Sequence, residues 1–379
     1  MSPSSRRDNN IFDVQELTDY CLDFLHDSLP ELKQCALVSR SWTKTSQLHI
    51  FYHIAIGSPK YSYGDATVSA AASRRWQLLS AVLSTSPRFL DLVKSMSIFL
   101  DSALRVDLSS FAQFAFPHLR HISVSGNWTP LVLRPIHQLF GIGTLSSISI
   151  SGNFSSLDEV AGVLSGCSPT IKKLSFLSVQ THFVALQLPS DEDDNINKNK
   201  IEITSLDLCW SPGIHHWLNS PHCFFDFSNL KRLRLNENTS LPSWPAFASC
   251  IPRVEYLQFQ PQLSANQPLG LAQFTHLKCI EMLIEFRDDI ASALKTLTTI
   301  AHTNEIQTLR FRLTHANSIP NAETGSVDMD RQLVALPLPY LKTVELVYIT
   351  SPLTNIAENL PLLHARKLVR VLHRRRIFD

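Results

Sequence analysis

One short apolar pattern returns ten times along this chain, and it limits what the chain can fold into. The pattern reads apolar-x-x-apolar-x-apolar. Its clearest copies are Leu119-x-x-Ile122-x-Val124, Leu145-x-x-Ile148-x-Ile150 and Leu230-x-x-Leu233-x-Leu235. Weaker copies run through Val93/Met96/Ile98, Ile171/Leu174/Phe176, Ile203/Leu206/Leu208, Val254/Leu257/Phe259, Leu277/Ile280/Met282, Ile306/Leu309/Phe311 and Leu341/Val344/Leu346. The middle residues Met96, Ile122, Ile148 and Leu174 are evenly spaced by 26. Longer gaps later in the chain mark insertions near 191–200 and 317–331. The final alternation puts two apolar side chains on one face of a short strand. Between copies, clusters such as Leu157-Val160-Ala161-Leu164 and Ile290-Ala291-Leu294-Leu297 carry helical spacing. No single strand-plus-helix unit buries both of its apolar faces, so the units must stack on one another.

In three copies an Asn follows the strand: Asn127, Asn153 and Asn238. The resulting L-x-x-L-x-L-x-x-N signature resembles the leucine-rich-repeat family over roughly residues 91–350. That resemblance implies an α/β fold, a horseshoe solenoid of about ten coils. The three Asn should turn inward there and satisfy backbone groups. They also match N-x-[ST], but with a polar N-terminus lacking an apolar signal segment, a structural role is the expectation. On a horseshoe the residues between the core positions line the concave side. The early repeats offer a serine-rich strip there. The later ones offer Arg232, Arg234, Tyr256, Gln258, Glu281, Arg310 and Arg312, which form the expected target-binding face. Arg and Tyr are enriched at binding hot spots.

Residues 11–56 do not repeat. Leu17, Cys21 and Phe24 recur at helical spacing. Ser28-Leu29-Pro30-Glu31 announces a second helix, with Ser28 as N-cap and Glu31 as its capping-box partner. That helix carries Leu32, Cys35, Ala36 and Val38, and a third stretch reaches Ile54. Three helices in about 45 residues build little core alone. The segment resembles the F-box family through Glu16-Leu17, Phe24-Leu25, Leu32-x-x-Cys35-x-x-Val38, Ser39-Arg40-Ser41-Trp42 and Leu48-x-x-Phe51. The resemblance implies docking onto a Skp-type adaptor and, through it, a cullin scaffold with a ubiquitin-conjugating enzyme. Glu16, Leu17, Leu25, Leu32, Cys35, Val38 and Trp42 would face the adaptor. Where the family opens with Leu-Pro this chain has Asp13-Val14, a change that weakens docking.

The organisation expected is therefore a disordered 1–10, the F-box-like module at 11–56, a linking helical segment at 57–90, the solenoid at 91–350, and a C-terminal capping helix with a basic tail at 351–379. Together the two resemblances imply a non-catalytic substrate receptor of a cullin-type ubiquitin ligase. The alternative is a scaffold without ligase recruitment.

Other chemistries are poorly represented. Lys+Arg 34 against Asp+Glu 33 leaves no global field for nucleic acid. No run of 18 apolar residues is available to span a bilayer. The seven cysteines contain no C-x-x-C pair, which suits reduced thiols in a cytoplasmic or nuclear protein. No P-loop, G-x-G-x-x-G, G-x-S-x-G or H-E-x-x-H occurs, so no catalytic site and no cofactor are expected. Asp191 to Glu202 has EF-hand-like ligand spacing, but Ile196 stands where the sharp turn needs Gly. Cys209, His215, His216, His222 and Cys223 cluster without zinc-site spacing. Near the C-terminus, Arg366, Lys367, Arg370, Arg374, Arg375 and Arg376 decorate an expected helix with Leu363, Leu368, Val371 and Leu372.

Overall fold

A computed structural model describes residues 15–57, 66–100, 108–183, 200–211, 213–220, 223–236, 250–261, 269–285, 287–314, 326–348 and 360–373. Asp13-Val14, the acidic stretch 191–199, His222, Asn238 and the basic tail 374–379 lie outside them. The fold is mixed α/β. Twelve strands form one sheet, which does not close into a barrel. The chain divides into two compact units, 1–148 with 166–168, and 149–165 with 169–379.

The first unit begins with three helices: α1 (Gln15–Asp23), α2 (Leu29–Val38) and α3 (Arg40–Tyr52). Helix α2 starts where Pro30 suits a first turn, but Ser28 makes no side-chain cap. Its φ of −112° and ψ of 83° lie off the extended geometry that aims a cap oxygen at the helix. The cap falls instead on α3, where the Trp42 amide donates to Ser39 Oγ at 3.4 Å. Helix α3 stops at Tyr52, short of the expected Ile54. His53–Ile56 is strand β1, paired parallel with β2 (Ser95–Leu100), and β2 pairs parallel with β3 (His121–Asn127). The non-repeating segment thus supplies the first strand itself. The linking segment carries helix α4 (Ala66–Thr85) and a short 3₁₀ turn, Pro87–Leu92. Beneath β2 and β3, Met96, Ile98, Ile122 and Val124 are buried together with Phe111, Phe116, Leu119 and Leu139.

Of the three Asn expected to turn inward, Asn238 lies outside the described residues. Asn127 is half-buried and Asn153 is exposed, while the next residues, Trp128 and Phe154, are buried. Gly126 and Gly152 stand just before the two Asn, and each has a positive φ, 121° and 109°, a region glycine enters without steric cost. At Gly126 a Cβ would collide with Leu100 O.

In the second unit the repeat register is read directly. Leu174, Leu206, Leu233, Leu257, Ile280, Leu309 and Val344 are paired neighbours across β5 (Lys173–Phe183), β7 (Ser205–Cys209), β9 (Arg232–Leu235), β10 (Tyr256–Phe259), β11 (Cys279–Ile284), β12 (Thr308–Leu313) and β13 (Thr343–Tyr348). A second buried row, two residues on, runs from Phe176 to Leu346. A two-stranded sheet, β6 (Ile201–Glu202) with β8 (Phe225–Asp226), accompanies them. The expected helices are present as Leu157–Leu164 and Arg287–Leu297. The first is capped by Ser156, a signal missed in the sequence: the Glu159 amide donates to Ser156 Oγ at 3.3 Å, and Glu159 Oε2 reaches past the cap to accept from the Ser155 amide at 2.9 Å.

The C-terminal expectation needs correction. The helix spans only Pro361–Ala365, and Val369–His373 is strand β14, parallel to β13. Lys367 at φ 57° breaks the helix in a left-handed turn. Beyond it Val369 and Val371 alternate in register with Val344 and Leu346. This period of two was hidden because Leu368, Val371 and Leu372 also fit i, i+3, i+4 helical spacing.

Candidate functional site

Two surfaces carry the residues that the sequence singles out. On the three-helix module, Glu16, Leu17 and Val38 are exposed, while Leu25, Cys35 and Trp42 are half-buried. Leu32 is not available to a partner. It is 1% exposed and, with Leu22, makes the interior of the module. Three exposed residues were missed: Tyr20, Phe24 (70% exposed) and Leu37 (82% exposed). Their signal was present, since Leu17, Tyr20 and Phe24 form an i, i+3, i+7 stripe separate from Leu22. Tyr20 and Phe24 meet edge to face at 4.9 Å between ring centroids. A polar contact near the surface links α1 to α3. Asp19 Oδ1 accepts from Thr45 on α3 and from Gln15 at 2.6 Å, and these bonds hold its carboxyl below the ordinary carboxylate range.

On the second unit, the strand positions between the core rows form a charge ladder. Register places Ser175, Asp207, Arg234, Gln258, Glu281, Arg310, Glu345 and Arg370 side by side. Along the Glu281–Arg370 stretch the signs alternate. Glu281, 0% exposed, is the hub. Its Oε2 accepts from Tyr256 Oη at 2.7 Å and from Arg310 Nη1 at 2.9 Å. Its Oε1 lies 2.8 Å from Arg312 Nη2, a charge contact out of line for a hydrogen bond. Arg310 also donates through Nε to Glu345 Oε2 at 2.7 Å. Asp207 Oδ2 lies 3.4 Å from Arg234 Nη1, and the Arg232 guanidinium sits 4.5 Å above the Tyr256 ring.

Two carboxylates and two guanidiniums in the Glu281–Glu345–Arg310–Arg312 group cancel in formal charge. Burial alone would push the Glu281 carboxyl up. The Tyr256 and Arg310 hydrogen bonds and the two Arg charges overcome this and hold it below its ordinary value. Tyr256 is pushed up, first by burial and then by the Glu281 charge. All seven residues of the expected target face are therefore brought together, but not as free groups. Glu281 and Gln258 are buried, and Arg310 and Arg312 are engaged with carboxylates. Arg232 is exposed, so the outward-facing part of this surface is its Arg232 edge.

Of the cysteine–histidine cluster, Cys209 Sγ donates to Asp207 Oδ1 at 2.9 Å and Cys223 is buried. Among the described residues no three His, Cys, Asp or Glu side chains are grouped to hold a metal ion. No described helix is long and apolar enough to cross a membrane. No family model matches the chain, and no curated protein matches it.

Proposed function

We propose that this chain is a substrate-recognition subunit of a cullin-type ubiquitin ligase, with an F-box-like module at 11–56 and a leucine-rich-repeat solenoid beyond it. The observation that carries this reading is the uncovered apolar stripe Leu17-Tyr20-Phe24 and the neighbouring pair Leu37-Val38 on three helices that bury little of their own. Large exposed apolar groups on a small helical unit mark a protein-binding surface. The partner is a Skp-type adaptor and, through it, a cullin scaffold. The target lies against the strand face of the second unit, entering from its Arg232 edge. The chain performs no bond chemistry. It raises the effective concentration of target lysines near a loaded conjugating enzyme. Such a protein works in the cytoplasm or nucleus.

Co-purification of the intact chain with a Skp-type adaptor tests this; absence of binding where a reference F-box protein binds would sink it. The second reading, a scaffold without ligase recruitment, is favoured by Asp13-Val14 in place of Leu-Pro. On that reading the D13L/V14P variant gains adaptor binding that the native chain lacks. Affinity capture with and without residues 1–56 then separates adaptor partners from targets.

A further inference from the structure

Between α3 and the turn Pro87–Leu92 lies a pocket of about 450 Å³ that has no part in adaptor or target binding as proposed. It falls wholly within the first unit. It is lined by the cations Arg40, Lys44 and Arg88 and by the apolar side chains Leu48, Phe89 and Leu92. At 3.6 residues per turn Arg40, Lys44 and Leu48 form one stripe of α3. Trp42 points to the opposite side, so the pocket is distinct from the expected adaptor face. The walls are fixed. Thr43 Oγ1 donates to Ala36 O and Ser39 O, each at 2.9 Å, and Phe51 stacks on Phe89 at 4.4 Å.

The charge is one-sided, since three cations line the pocket and no carboxylate does. Among the described residues none of the three cations stands in an ion pair. Lys44 and Asp19 interact only through the field between them. Arg88 instead lies 5.0 Å from the Phe89 ring centroid, its guanidinium beside an apolar wall. Apolar side chains beside unneutralised cations are complementary to an anion on an apolar body. The volume falls in the range of about 300–1,000 Å³ that holds one small ligand. A planar guanidinium also grips carboxylate or phosphate by two parallel hydrogen bonds.

We infer that this pocket binds a small amphipathic anion, a carboxylate or phosphate carried on an aromatic or branched aliphatic body. The test uses the full chain with 1-naphthyl phosphate as probe, followed by calorimetry and ligand-observed NMR. The probe binds and 1-naphthoate competes. Neutral 1-naphthylmethanol and inorganic phosphate each bind about tenfold more weakly or worse, since each lacks half of the recognition. The K44Q/R88Q variant, altered only in the pocket lining, loses about tenfold in affinity with an unchanged unfolding midpoint, whereas L17D retains full affinity. Four results would overturn the inference: no saturable binding at millimolar probe, equal affinity for the neutral alcohol, unchanged affinity in K44Q/R88Q, or preference for a peptide ending in Phe or for anionic vesicles.

Discussion

In the three-helix module apolar side chains are left in solvent, whereas across β7–β13 charged side chains are drawn out of it. The module buries Leu22 and Leu32 and leaves Phe24, Leu37 and Val38 outside. The strand unit buries two continuous apolar rows and places Glu281, a charged group, at 0% exposure beside them. A buried charge is tolerated only when paired and hydrogen-bonded, and Glu281 has both kinds of partner. An exposed apolar stripe has no equivalent compensation within its own chain. Among the described residues, the module thus leaves apolar groups uncovered, while Glu281, Arg310 and Arg312 of the strand ladder meet partners within the chain.

Substitutions at the two places should therefore differ sharply in cost. Leu309→Ala, in the middle of the first buried row, should destabilise the second unit by about 4 kcal/mol through lost burial and a cavity. Urea unfolding measures this, and a cost below about 1 kcal/mol would mean the row is not close-packed. Glu281→Ala removes the hub and leaves Arg310 and Arg312 poorly compensated, at a cost of about 3 kcal/mol. A variant as stable as the parent would show that the ladder is a solvated surface. Gly126→Ala should cost about 2 kcal/mol, because the positive φ and the nearby Leu100 carbonyl both oppose a side chain.

Acid sharpens the contrast further. Because the folded state holds the Glu281 carboxyl below its unfolded value, its contribution is fully present above the ordinary carboxylate pKa of about 4.3. It is lost as pH falls from there through the depressed folded value. Stability measured between neutral and acid pH should fall less in Glu281→Gln than in the parent, and parallel curves would contradict this. The smallest effect is expected in the module. Phe24→Ser and Leu37→Ser should each move stability by no more than about 0.5 kcal/mol, since neither side chain is buried. A larger loss would mean that these residues pack against the chain itself.

The strand rows were legible because burial on one face imposes a period of two, and residues such as Leu206, Leu233 and Leu257 met in register as their spacing implied. The final strand was not, because Leu368, Val371 and Leu372 also sit at helical spacing while the turn at Lys367 depends on a backbone angle. The burial of Trp128 and Phe154 was also not legible, and neither was the positive φ of Gly126 and Gly152, since spacing does not encode a backbone angle. At the candidate site the sequence identified Arg310, Arg312 and Glu281 as sharing one face. It could not reveal that they face one another, because that depends on residues 29 and 35 positions apart falling on adjacent strands. Leu32 was misplaced for a related reason: in a three-helix unit, neighbouring helices decide which apolar stripe is covered.

If the module's exposed apolar residues serve a partner protein and not the fold, their replacement should abolish binding and spare folding. A binding isotherm of the purified chain and its L17D/F24D/V38D variant against a Skp-type adaptor, with unfolding curves recorded on both, decides this. The two chains should unfold at the same midpoint, and only the parent should bind. Equal binding by both, or none by either, would contradict that expectation.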